Sequence, residues 1–167
     1  MKLLIHDLKV NEFEKIFFKL SDEVKVVSND DMIHHCIGCF GCWVKTPAKC
    51  VIRDKYSDMG EYLSKCKNFI IISKCCYGGY SPFVKNVLDR SISYLHPYFV
   101  VKNGEMHHRR RYNNHMDMKV WFYGEDITEK EKCTAQKLVR ANSINLACSA
   151  NEVTFIHDIN EMKGQIL

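Results

Sequence analysis

No glycine occurs before Gly38, and the 167-residue chain holds only eight glycines and three prolines. A glycine-rich turn is therefore excluded from everything ahead of Gly38, because a backbone needing positive φ or close approach to a ligand normally uses glycine. Long apolar runs are lacking too: no stretch approaches the roughly 18 residues that a membrane-spanning helix needs. The opening MKLLIHDL offers one lysine and a short apolar run before His6 and Asp7, which is too little for a secretory signal. The expectation is a soluble cytoplasmic protein. Neither sign of charge dominates: the net charge is +4 with histidines neutral, too mild to imply a nucleic-acid partner. Internal repeats, low-complexity stretches and linkers are absent, and the length suits one domain, 1–167.

Cysteine, by contrast, is abundant, with nine in the chain. Cytosolic thiols stay reduced, so a disulfide framework is not expected. Cys66, Cys75, Cys76, Cys133 and Cys148 stand in apolar surroundings and read as core residues. The other four crowd into the loop 36–54 as Cys36-Ile-Gly-Cys39-Phe-Gly-Cys42 and Cys50. Four thiolates on a compact loop can ligate a [4Fe–4S] cluster or zinc, and soft thiolates alone do not choose between them. The metal-free alternative is a buried or redox-reactive loop. Gly38 and Gly41 allow tight turns between the sulfurs, and Thr46-Pro47 can turn the chain back toward Cys50. His34 and His35 could tune a thiolate or replace a ligand.

Apolar periodicity alternates between strand and helix. Strands are expected at 3–8, 24–27, 69–72, 119–123 and 153–156. Phe69-Ile-Ile-Ile72 is continuously apolar, as in a strand covered on both faces. Asn11 with Glu14, and Thr128 with Glu131, read as capping boxes, Ser57 as a cap, and Ser81-Pro82 as a helix start. Phe13, Ile16, Phe17 and Leu20 form the buried stripe of the first helix, and Ala135, Leu138 and Val139 that of the last. This rhythm predicts an α/β fold: a doubly wound, five-stranded parallel sheet of order 2-1-3-4-5 in three α/β/α layers. Ligands of such sheets bind beyond the carboxyl ends of the strands. Cys75-Cys-Tyr77-Gly78-Gly79-Tyr80-Ser81-Pro82 lies at one such end, where glycines permit close approach and Tyr77 and Tyr80 can stack on a ring.

The segment 96–117 breaks the rhythm and reads as an insertion carrying a binding surface, a lid or a subunit contact. Its HHRRRY run (107–112) can bind phosphate or carboxylate, or is a solvated basic loop. His107, His108 and His115 could bind metal, though nothing fixes their geometry.

CIGCFGCWVKTPAKCVIRD and FIIISKCCYGGYSPFVKNVLDR together resemble the NAD(P)H-dependent FMN reductases and iron–sulfur flavoproteins, over roughly residues 36–99. The resemblance implies a flavodoxin-like fold and a flavin oxidoreductase passing electrons from NAD(P)H to a small-molecule or protein acceptor. It places the FMN ring over Tyr77, Gly78, Gly79, Tyr80 and Ser81. It matches Lys85, Asp89 and Arg90 to the family's helix, and implies a homodimer and a cluster on Cys36, Cys39, Cys42 and Cys50. The HHRRRY run would then serve NADPH phosphate or the dimer contact. Lys74 stands where the family usually has proline, and Cys76 where an aromatic is common. The family's phosphate loop also has no counterpart: His6–Asn11 lacks glycine, and Glu12 and Glu14 repel an anion. FMN binding weaker than in the family is therefore expected. The alternative is a non-enzymatic binding or redox-sensing module that has lost FMN phosphate binding.

Overall fold

A computed structural model describes residues 1–18, 20–29 and 32–164. Five parallel strands form one sheet: β1 (Lys2–His6), β2 (Val24–Ser28), β3 (Asn68–Lys74), β6 (Asp117–Tyr123) and β7 (Ala150–Ile156). Two more, β4 (Leu95–Lys102) and β5 (Glu105–Arg110), pair antiparallel in a separate hairpin. The sheet order is β2-β1-β3-β6-β7, so the expected 2-1-3-4-5 needs correcting to count two strands inside the insertion. The correction has a local cause. Asn103 and Gly104 both take positive φ, 54° and 80°, as a two-residue hairpin turn between the strands requires.

The sheet is covered on both faces because side chains alternate along each strand. Leu3, Ile5, Phe69, Ile71, Met118, Val120 and Phe122 point into the larger core. There they meet α3 (Met59–Ser64), α4 (Pro82–Arg90) and α5 (Glu129–Asn145) through Leu63, Val84, Val87, Ala135 and Val139, while the short α2 (Gly41–Val44) lies apart in the cysteine loop. Leu4, Ile70 and Ile72 point the other way, toward Phe13 and Phe17 of the α1 segment (helix Val10–Ile16), Ile156 and Met162. At about 25 cal/mol per Å² of apolar area, each such fully buried side chain is worth about 1.5–3 kcal/mol.

The caps divide. Ser81 and Thr128 cap α4 and α5 as expected, accepting from the N–H groups of Val84 (3.4 Å) and Glu131 (3.3 Å). The first helix begins earlier than Asn11. Lys9 is its N-cap residue, with its N–H donated to Glu12 at 3.1 Å, and Phe13 stacks on His6 at 4.1 Å. Asp58 rather than Ser57 is the N-cap residue of α3. Cys66 is buried as expected, but Cys133 is exposed on the outer side of α5. No helix among the described residues is long and apolar enough to cross a membrane.

Candidate functional site

The carboxyl ends of β1, β3, β6 and β7 converge on a cavity of about 660 Å³. Its walls carry six carboxylates, those of Asp7, Glu12, Glu125, Asp126, Glu131 and Asp158, against the two lysines Lys9 and Lys74. Asp7 ties the strand ends together. Lys74 N–H donates to Asp7 Oδ2 at 2.9 Å and the Tyr123 hydroxyl to Oδ1 at 3.1 Å. Burial pushes the Asp7 carboxyl up from its ordinary 3.8, against hydrogen bonds from Ser81, Lys74 and Tyr123 that pull it down. Burial, then the charge of Asp7, also pushes the Tyr123 phenol upward.

The turn after β3 leaves this cavity at Cys75, its last residue on the wall. Cys76 and Gly79 exchange both backbone hydrogen bonds at 2.9 Å, and Tyr77 and Gly78 between them have φ of 54° and 77°. A Cβ on Gly78 would lie 2.8 Å from both Glu131 O and Thr134 Cβ. Glycine is therefore required there by the approach of α5. Tyr77 is 95% exposed, whereas Tyr80 is buried, stacked on Phe122 at 5.3 Å. The two tyrosines thus do not share a face: Tyr77 stands out in solvent, and Tyr80 turns inward to line a cavity. Ser81 N–H donates to Ser73 Oγ at 2.8 Å and the Ser81 side chain caps α4, so Ser81 is structurally engaged. Across the turn lies a second cavity of about 510 Å³, walled by Tyr80, Leu88, Ile92, Leu138 and Leu146.

The cysteine loop packs at the other end of α4. Cys36, Cys39, Cys42 and Cys50 all line one cavity of about 430 Å³ with Phe40, Trp43 and Arg90. Burial first, then the neighbouring Cys50, pushes the Cys42 thiol up. Among the described residues, no group of three or more His, Cys, Asp or Glu closes on a single metal ion. The four thiols share a cavity, then, without sharing a coordination centre.

Arg90 holds this loop, a role the sequence reading missed. Its side chain is fully buried and gives all five N–H groups to acceptors. Nε donates to Cys50 Sγ at 3.2 Å. Nη1 donates to His34 O at 2.8 Å and Asp54 Oδ2 at 2.9 Å. Nη2 donates to Ile52 O at 3.2 Å and Asp54 Oδ1 at 2.8 Å. The available signal was position: Arg90 continues the buried helical stripe of Phe83 and Val87. Burial works against the charged Asp54, but the hydrogen bonds from Arg90 and from Tyr56 N–H outweigh it and hold the carboxyl below 3.8.

The basic run does not converge. Arg110 donates to Asn114 O at 2.6 Å and Arg111 to the carbonyls of Ser93 and Leu95, both at 3.2 Å. His108 instead joins the hairpin to the cysteine loop, with its ring 5.1 Å from Trp43 and 4.8 Å from Phe99.

No family model and no curated protein sequence matches the chain. Among the solved structures similar to it in fold are two in complex with FMN. An FMN-dependent NADH-azoreductase from Bacillus anthracis, in complex with FMN, aligns with a TM-score of 0.56 at 10% identity, over 97% of this chain and 92% of that one. A general stress protein 14 from Treponema denticola, also in complex with FMN, aligns with 0.53 at 8% identity, over 98% and 94%. The likeness shows a flavodoxin-like fold.

Proposed function

We propose that the chain is a flavin-dependent oxidoreductase that takes reducing equivalents from NADH or NADPH and passes them to a small-molecule or protein acceptor. The observation carrying this reading is the turn Tyr77–Ser81 at the carboxyl end of the central strand, in a fold shared with two FMN-bound proteins. The flavin supplies the hydride and electron chemistry, and the protein's share is binding and orientation. Exposed Tyr77 offers a ring face for stacking. The residues fit the ring better than the phosphate, because the loop after β1 holds Asp7 and Glu12 where an anion would sit. That feature also favours a second reading, a binding or redox-sensing module that has lost FMN phosphate binding.

The cysteine cavity supports a further part of the reading, a [4Fe–4S] cluster on Cys36, Cys39, Cys42 and Cys50. Four soft donors face one space, and a multi-iron cluster sets its thiolates farther apart than a single ion does. A homodimer through 96–117 is supported by exposed Tyr98, Phe99, Val101 and Met106 on the hairpin, since grouped apolar side chains mark interaction surfaces. A cytoplasmic location suits the reduced thiols.

Purification without oxygen, followed by an absorption spectrum, iron analysis and NADH and NADPH oxidation assays, tests the whole. A bound flavin reduced by either nicotinamide is the expected result. Protein that takes up no flavin on titration overturns the oxidoreductase reading. Iron uptake no greater than in a Cys39→Ala, Cys42→Ala double variant overturns the cluster.

A further inference from the structure

The acidic cavity narrows the kind of flavin. We infer that this site selects a flavin without a phosphate, of the riboflavin class, over FMN. The inference rests on the flavin reading above.

An anion site at strand ends works by offering free backbone N–H groups and positive charge. Here five of the N–H groups at the strand ends are already taken by carboxylates. Lys74 N–H goes to Asp7 at 2.9 Å, Lys9 N–H to Glu12 at 3.1 Å and Thr128 N–H to Glu131 at 2.9 Å. At the end of β7, His157 N–H and Asp158 N–H both go to Glu161, each at 2.9 Å. At each of the four strand ends, then, a carboxylate already occupies at least one N–H that a phosphate would use, and the side chains that do so are themselves negative. A phosphate monoester brings about −1.5 to −2 charges at neutral pH. It would have to displace these carboxylates as well as face Glu125 and Asp126 on the same wall.

A neutral flavin meets none of this. Its ring system can lie against the apolar cavity across the turn, where Tyr80, Leu88, Ile92 and Leu138 offer area for burial. Its ribityl hydroxyls can donate hydrogen bonds to the carboxylates that repel a phosphate. The acidic edge therefore discriminates against the phosphate alone.

The test is parallel fluorescence titration of the full chain with riboflavin and FMN, repeated at about 0.01 and 0.15 M salt, where the screening length falls from about 30 to about 8 Å. Riboflavin should bind at least tenfold more tightly than FMN. Salt should tighten FMN severalfold and leave riboflavin unmoved. A Glu125→Gln, Asp126→Asn double variant, which removes two charges whose side chains close none of these N–H groups, should tighten FMN only. FMN binding within tenfold of riboflavin, or tighter, overturns this inference and leaves the flavin reading standing. If neither flavin binds, both fall.

Discussion

Replacing Asp54 by alanine tests how the cysteine loop is held. Arg90 is 1% exposed and its charge is balanced by the Asp54 carboxylate, held through two bonds of 2.8 and 2.9 Å. Removing one partner of a buried pair strands the other charge, at a cost of about 3–5 kcal/mol. Domains of this size lose about 2–4 °C of Tm per kcal/mol, so Asp54→Ala should melt about 6–20 °C below wild type. An Arg90→Met, Asp54→Ala double variant removes the stranded charge and should lose less than the two single variants together. It still leaves the carbonyls of His34 and Ile52 without their guanidinium donor. Urea denaturation followed by circular dichroism measures the stability, and alkylation of Cys50 resolved by mass spectrometry reports release of the loop. A cost for Asp54→Ala below about 1 kcal/mol, the range of an exposed pair, would refute the reasoning.

Other outcomes follow from the same geometry. Gly78→Ala must place a Cβ against Glu131 O at positive φ and should cost more than Gly38→Ala, whose Cβ meets nothing within 4 Å; paired thermal melts check this. Thr128→Ala removes the cap of α5 and should cost about 1 kcal/mol in urea denaturation. The lowered Asp54 pKa means its contribution is present above the unfolded value of about 3.9 and lost as pH falls through the folded one. Asp54→Asn should therefore flatten the acid side of the stability–pH curve. The raised Asp7 pKa makes it take a proton before ordinary carboxylates do on acidification. FMN binding should strengthen toward acid pH while riboflavin binding stays level, measured by titration at several pH values.

Most of the sheet was legible because its signal is local. Phe69–Ile72 has the continuous apolar run typical of a doubly covered strand, and Ser81-Pro82 and Thr128 with Glu131 are caps whose partners lie a turn away. The hairpin went unread although Asn103-Gly104 marks its turn, because the strands beside it lack the alternation of a half-buried pair. The start of the first helix depended on Phe13 reaching His6, a contact made only after the strand is placed. The site was less legible because its decisive bonds span the chain. Asp7 meets Lys74 and Tyr123, and Arg90 meets His34, Cys50 and Asp54, at separations no spacing rule covers. Tyr77 and Tyr80 were read as a pair from proximity in sequence, yet the two-residue turn sends one outward and the other into the core.

The two tryptophans sit in separate neighbourhoods. Trp43 lines the thiol cavity, with its indole N–H on Leu95 O at 3.0 Å and its ring beside His108. Trp121 packs on the opposite face of the sheet with Leu4, Ile70 and Ile156. Sulfur and imidazole groups quench indole emission at contact distance. The intrinsic fluorescence of the protein is therefore two separate lamps: one dims or brightens with the state of the cysteines and the seating of the hairpin, and the other reports on the packing of the sheet. Trp43→Phe and Trp121→Phe single variants would give each its own spectrum, so that loop chemistry and global unfolding can be followed separately in the same cuvette.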